Sequence, residues 1–174
     1  MTAADERKGA AWWPMRQADL PAVAEISRIV HPAYPEDDPV FAERLSLYPQ
    51  GCRVLVTDDG VHHGYILSHP WDGLPPKLNT LLGAIPAASR RYYIHDLTIL
   101  PNWRGTGIAS VVVRALLAQA RQNDFTTAEL VAVNNSSGFW RRYGFVVDGD
   151  PAVAAVLRSY GDNVRYMTSD LTMK

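Results

Sequence analysis

Residues 92–120 read YYIHDLTILPNWRGTGIASVVVRALLAQA, and this stretch decides the fold. Residues 92–100 are rich in β-branched and aromatic side chains and predict a strand. Pro101 stops it, because proline offers no N–H to a ladder. Arg104 to Ala109 form the turn, where Gly105 and Gly107 allow a sharp backbone path with no side chain in the way. From Ile108 the apolar residues Ile108, Val111, Val112, Ala115, Leu116 and Ala120 recur with helical spacing and predict a core-facing stripe. The unit is strand, glycine loop, helix. A helix start leaves unpaired N–H groups at the positive end of its dipole, which suits an anion such as phosphate.

Other glycine loops fit less well. A phosphate-binding P-loop continues with Lys and Ser/Thr, where this chain has Ile108-Ala109. A dinucleotide fingerprint has a third glycine or alanine where this chain has Ser110, and here the unit comes late, after other predicted strands. The stretch resembles the acetyl-CoA-binding motif of the GNAT N-acetyltransferase superfamily, Arg/Gln-x-x-Gly-x-Gly/Ala, with Arg104, Gly107 and Ala109 at its positions. The segment HDLTILPNW resembles that family's fourth strand and its exit. The resemblance implies an α/β (α+β) fold with a mixed, mainly antiparallel sheet and helices on both faces.

Composition agrees with one domain spanning residues 1–174. The chain is 47% hydrophobic and 20% charged with a net charge of −1, so nothing points to nucleic acid or a membrane surface as partner. The lone Cys52 leaves no internal disulfide, and no stretch reads as a secretory signal or a membrane span, which gives a cytoplasmic expectation. His62-His63 alternate between strand faces and lack further ligands, so no metal is expected.

In order, residues 1–11 read as a loose tail and residues 12–17 as an edge strand containing Pro14. A helix follows, capped by Asp19, with Leu20, Val23, Ile26, Ile29 and Val30 as its buried stripe. Pro32 and Pro35 end it, and a second helix is predicted from Pro39 to Tyr48. Strands over 53–57 and 63–68 flank the hairpin signal Asp58-Asp59-Gly60. Residues 69–89 form an insertion-like loop with a short helical turn over 77–82, able to wall a pocket or simply to pack. Residues 127–133 read as a strand, residues 151–160 as a short helix and residues 163–171 as a last strand.

FWRRYGF at 139–145 resembles the superfamily's second motif, which implies further site residues. The strand before it splays from the central strand, and the gap admits the pantetheine arm. On that resemblance the acetyl-CoA contacts are Leu97, Thr98 and Ile99 through their main chains, the loop Arg104, Gly105, Thr106, Gly107, Ile108 and Ala109, and Asn134 and Trp140. Trp140 stands where the family commonly carries an acidic Tyr. An indole cannot act as that acid, which leaves Tyr143 as a substitute and solvent or Tyr93 as others.

The implied reaction moves an acetyl group from acetyl-CoA to a primary amine, a small molecule or a peptide. Glu36, Asp37 and Asp38 lie where the superfamily opens to its acceptor, and together with Tyr93 they are the candidate acceptor contacts. His95 is the candidate base, since histidine titrates near neutrality. A histidine hydrogen-bonded in the core is the alternative. Period two places Tyr93, His95, Leu97 and Ile99 on one face, with Ile94, Asp96 and Thr98 on the other. Two rival readings stand: a CoA-binding module that has lost its chemistry, motivated by Trp140, and a nucleotide-binding protein. A homodimer is left open.

Overall fold

The computed structural model describes residues 9–173. The strands are β1 (Ala11–Pro14), β2 (Cys52–Val56), β3 (His62–Pro70), β4 (Arg91–Ile99), β5 (Thr127–Ala132), β6 (Val146–Val147) and β7 (Arg165–Asp170). The helices are α1 (Leu20–Val30), α2 (Asp38–Leu47), α3 (Ile108–Gln122), α4 (Ser137–Arg141) and α5 (Ala154–Leu157), with 3₁₀ turns between. The strands form a seven-stranded sheet in the order β1-β2-β3-β4-β5-β7-β6. Only β4 and β5 run parallel, joined by the α3 crossover; every other neighbouring pair is antiparallel.

Each face of the sheet carries its own core. On one side α1 and α2 bury Val23, Ile26, Phe41 and Leu45 against Val54, Tyr65 and Leu67. On the other, α3 buries Val112, Val113, Leu116 and Leu117 against Ile66, Tyr92, Ile94, Leu130 and Met167. The helical period holds, but both stripes are rotated from the sequence expectation. Ile29, Val111 and Ala115 are exposed, while Ala24, Val113 and Leu117 are buried. Equally apolar residues on adjacent faces do not say which face meets the sheet; the angle of docking does.

Most element bounds differ from expectation by a residue or two. The tail expected over 1–11 falls mainly on residues outside the described ones, and β1 already includes Ala11. Residues 77–82 form no helix, and residues 151–160 break into 3₁₀ and α pieces rather than one helix. The loop 71–90 is nonetheless well anchored. Glu43 accepts hydrogen bonds from the amides of Leu82 (2.7 Å) and Gly83 (2.8 Å). The fully buried Arg44 bonds Glu43 (2.5 Å) and donates to the Thr80 carbonyl (2.9 Å). A buried cation is tolerable only with such partners.

One irregularity matters most for the site. The β3–β4 register runs Leu67↔Asp96 and then Ser68↔Ile94, so His95 is an extra residue bulged out of β4. A bulge breaks the two-residue alternation. Tyr93, His95, Asp96 and Thr98 therefore all lie on the α1/α2 side, whereas Tyr92, Ile94, Leu97 and Ile99 lie on the α3 side. The expected grouping of His95 with Leu97 and Ile99, and of Asp96 with Ile94, is corrected accordingly.

Candidate active site

The parallel pairing of β4 with β5 ends at Ile94↔Leu130, although β4 continues to Ile99 and β5 to Ala132. The two strands part, leaving main-chain groups of β4 beyond Ile94 unpaired on that side. Buried backbone groups need partners, so this open edge is a ready recognition surface for an extended polar chain. The parting opens a cleft of about 760 Å³ that runs on to the loop before α3. Its walls include Leu97, Thr98, Ile99, Arg104, Gly105, Gly107, Ile108, Ala109, Asn134 and Trp140.

The loop turns sharply and leaves open space in front of it. Gly105 (φ +74°) and Gly107 (φ +82°) are left-handed, and a Cβ added to either would meet nothing within 4 Å. A side chain there would stand in open space rather than against the protein. Thr106 Oγ1 donates to the Trp103 carbonyl (2.8 Å) and accepts from the Ile108 amide (3.3 Å), which fixes the turn. Arg104 Nε donates to the Ile99 carbonyl (3.2 Å), tying the loop to the end of β4. Trp12 Nε1 donates to the Ile108 carbonyl (2.8 Å) and braces the start of α3.

On the α1/α2 side the acidic run divides. Glu36 Oε1 lies 2.8 Å from His95 Nε2, both side chains being less than a tenth exposed. Asp37 is exposed and exchanges hydrogen bonds with Asn79, and Asp38 is exposed and paired with Arg28 (2.8 Å). Only Glu36 reaches the cleft; Asp37 and Asp38 line a neighbouring depression of about 630 Å³ together with Ser27, Arg28 and Pro35. Cleft and depression share two residues, His31 and Glu36.

Tyr93 is not on the cleft wall. The structure places it within the core, 1% exposed, against His69 and His95, and burial pushes its hydroxyl pKa up. Tyr143 does not line the cleft either: its hydroxyl bonds the cleft residue Ser110 at Oγ (2.6 Å), at the start of α3. Trp140 does line the cleft, packed on Tyr143 and Phe145.

Among the cleft residues that sequence reasoning missed are Tyr160 and His31. Tyr160, from a 3₁₀ turn, lines the cleft and donates to the Pro76 carbonyl (2.9 Å), while burial raises its pKa. His31, which directly precedes the helix-ending Pro32, lies against the splayed strands. Its Nε2 lies 2.7 Å from Thr98 Oγ1 and 3.2 Å from Asp96 Oδ1. Its Nδ1 lies 3.0 Å from Asn134 Nδ2. A histidine at a helix C-terminus before a proline is an ordinary stop signal, so nothing local marks it.

The site is therefore framed by a parallel β4–α3–β5 unit whose strands splay over a glycine loop. The chain belongs to the GNAT family: the description "Acetyltransferase (GNAT) family" matches residues 15–145, more than half of its length. That family uses acyl-CoA. Over 57 residues the chain is 37% identical to "Uncharacterized N-acetyltransferase ycf52" of Porphyra purpurea, a match covering 33% of each protein. The chain thus spans about a third of the length of the curated relatives it matches.

The fold is shared by many solved structures. Arabidopsis thaliana Naa50 in complex with the bisubstrate analogue CoA-Ac-MVNAL superposes with a TM-score of 0.67 at 15% identity, covering 93% of this chain and 99% of that one. The GphF GNAT-like decarboxylase in complex with isobutyryl-CoA superposes with a TM-score of 0.73 at 15% identity, covering 92% and 99%. Among the described residues no cluster of His, Cys, Asp and Glu could hold a metal, and no helix is long and apolar enough to cross a membrane.

Proposed function

We propose that the chain transfers an acetyl group from acetyl-CoA to a primary amine that is cationic in solution. The observation that carries this is one continuous cleft joining the anion cradle at Gly105–Gly107, the open edge of β4, and the Glu36 carboxylate. Residues 104–109 would hold the cofactor's phosphates, and the main chain of Leu97–Ile99 would pair with its amide arm. Acetyl-CoA supplies an acyl group activated as a thioester.

The amine would enter through the depression beside α1 and meet the cleft between His31 and Glu36. In the net reaction an N–C bond forms and a C–S bond breaks. The nitrogen loses a proton and the sulfur gains one. We assign loss of the amine proton to Glu36 and His95 acting together. The ring of His95 is nearly closed off, so the Glu36 carboxylate meets the acceptor and takes the proton, while the Nε2–H of His95 behind it orients and steadies that carboxylate. Holding the amine beside the thioester supplies much of the rate, and no covalent enzyme intermediate is needed. Cys52 is no nucleophile: it is buried and its thiol pKa is pushed up to about 12 by that burial.

The family's breadth, with a GNAT-like decarboxylase among its folds, makes the amine the point to test. Thiol release from acetyl-CoA should be followed with a panel of polyamines, amino sugars and peptides with free N-termini. Amine-dependent release, with the acetylated product seen by mass spectrometry, is expected. Tight CoA binding with no release for any amine would leave a binding module instead.

A further inference from the structure

Asp96 is a buried carboxylate held from three sides. Tyr65 donates its hydroxyl to Oδ2, Thr98 donates to Oδ1 (2.9 Å), and His31 Nε2 lies 3.2 Å from Oδ1. Thr98 spends its one hydroxyl hydrogen on Asp96, so its oxygen accepts from His31 Nε2 at 2.7 Å. The Nε2–H is therefore shared by Thr98 and Asp96, and the Asn134 amide nitrogen donates to Nδ1. The ring is fixed at one nitrogen by a carboxylate and presents the other across the gap between the parted strands. This is the arrangement that orients a catalytic imidazole and stabilises its cation.

Trp140 removes the hydroxyl acid expected from α4, and Tyr143 is engaged elsewhere. We propose that His31, held by Asp96, is the general acid that gives a proton to the departing thiolate. This rests on the acetyl-transfer reading above. The step balances simply. The C–S electron pair goes to sulfur, the imidazolium Nδ1–H goes to that pair, and His31 is left neutral with its Nε2–H still on Thr98 and Asp96. Solvent restores the proton through the depression that His31 also lines. When Nδ1 carries hydrogen, the Asn134 amide nitrogen is no longer a partner for it and swings off, which leaves that hydrogen to the sulfur.

The surroundings favour the charged ring on balance. Burial opposes it, but the Asp96 charge and hydrogen bond outweigh burial, and the His31 pKa is raised above its ordinary 6.5. Glu36 adds to this, and Arg104 on the α3 loop opposes it. The other charged or titratable groups facing the network are Tyr65 on β3, His95 on β4, Tyr34 edge-on to the ring, and Arg28, Asp37 and Asp38 in the depression.

An acid must be protonated, so loss of the proton from His31 should produce the basic limb of the kcat profile. The experiment compares wild type with His31→Gln on two thioesters: acetyl-CoA and an acetyl aryl thioester whose thiol is acidic enough to leave unprotonated. With acetyl-CoA, kcat should fall about 10²–10⁴-fold, the usual worth of general acid catalysis, and the basic limb should vanish. With the aryl thioester the loss should be under about tenfold, because no acid is needed. The His31 ring, followed by NMR in the whole protein, should titrate at the pH of the basic limb, and lower in Asp96→Asn. Acetyl-CoA affinity, measured by calorimetry, should not change in His31→Gln. Equal losses on both thioesters, or a His31 titration away from the basic limb, would overturn the assignment. If His31→Gln does not fold, the wild-type titration decides alone. Failure of acetyl transfer in the wild type would instead sink the parent reading, so the two failures are distinguishable.

Discussion

The two ends of the cleft are built in different ways. The end proposed for the cofactor is assembled from one run of chain, from the end of β4 at Ile99 through Arg104 and Gly107 to the start of α3. The end proposed for the acceptor is assembled from residues far apart in sequence: Glu36 meets His95 across 59 positions, His31 meets Thr98 across 67, and Asn134 meets His31 across 103. A contiguous site depends on local backbone geometry, so single substitutions in it should act on the cofactor alone. A dispersed site depends on docking of α1, α2 and the loop 71–90, and substitutions there should spare the cofactor.

The largest effect should come from Gly107→Val. It places a β-branched residue at φ +82°, with its side chain in the space kept for an anion. The backbone cost is about 1–3 kcal/mol. Losing two charge-assisted hydrogen bonds at about 1.5–3 kcal/mol each would weaken acetyl-CoA roughly 10²–10⁴-fold. Calorimetric Kd, with circular dichroism as the control for folding, measures it. A folded variant with unchanged affinity would remove the cradle from the cofactor site. Gly107→Ala, with the same strain and a smaller side chain, should lose less.

That contrast also explains what could be read from sequence. A glycine loop between strand and helix announces itself, because glycine identity and spacing are local. Placing the active-site side chains requires knowing which face of β4 each one leaves from. One bulged residue, His95, reversed that for Asp96 and joined it to His31. Alternation counted along a single strand cannot reveal a bulge, since the bulge is a property of the β3–β4 register. The acidic run was legible as a feature but not as three different environments, because only tertiary packing buries Glu36 and leaves Asp37 and Asp38 in water.

A middle-sized effect should come from the Glu36–His95 pair. Glu36→Gln keeps the shape and removes the charge from a nearly buried hydrogen bond to His95. A lost hydrogen bond to a charged group costs about 1.5–3 kcal/mol, so kcat/KM for the amine should fall by roughly one to two orders of magnitude. His95→Ala should lower turnover, since it removes the partner that orients the Glu36 carboxylate. Acetyl-CoA affinity should hold in both. If either variant lost cofactor affinity as Gly107→Val does, the division of the cleft into two independent ends would be broken.

The smallest effect should come from Asp37 and Asp38, and it sharpens the comparison within the acidic run itself. Both are exposed, and Asp38 already shares its charge with Arg28 at the start of α2. Charges in water attract weakly and are screened beyond about 8 Å at physiological salt. They can steer a cationic amine toward the depression, but they cannot hold it there. The double variant Asp37→Asn, Asp38→Asn is the informative one. Asn at 37 keeps a hydrogen-bonding partner for Asn79 and so spares the loop 71–90. Asn at 38 frees Arg28 without adding a positive charge beside it. The acceptor KM should rise about two- to threefold at low ionic strength, and the difference should vanish near 0.5 M salt, where the Debye length is only about 4 Å. Turnover should not change. A salt-insensitive rise as large as that of Glu36→Gln would mean that the amine is bound at the mouth of the depression. The acceptor end would then extend to the surface rather than closing on one buried carboxylate.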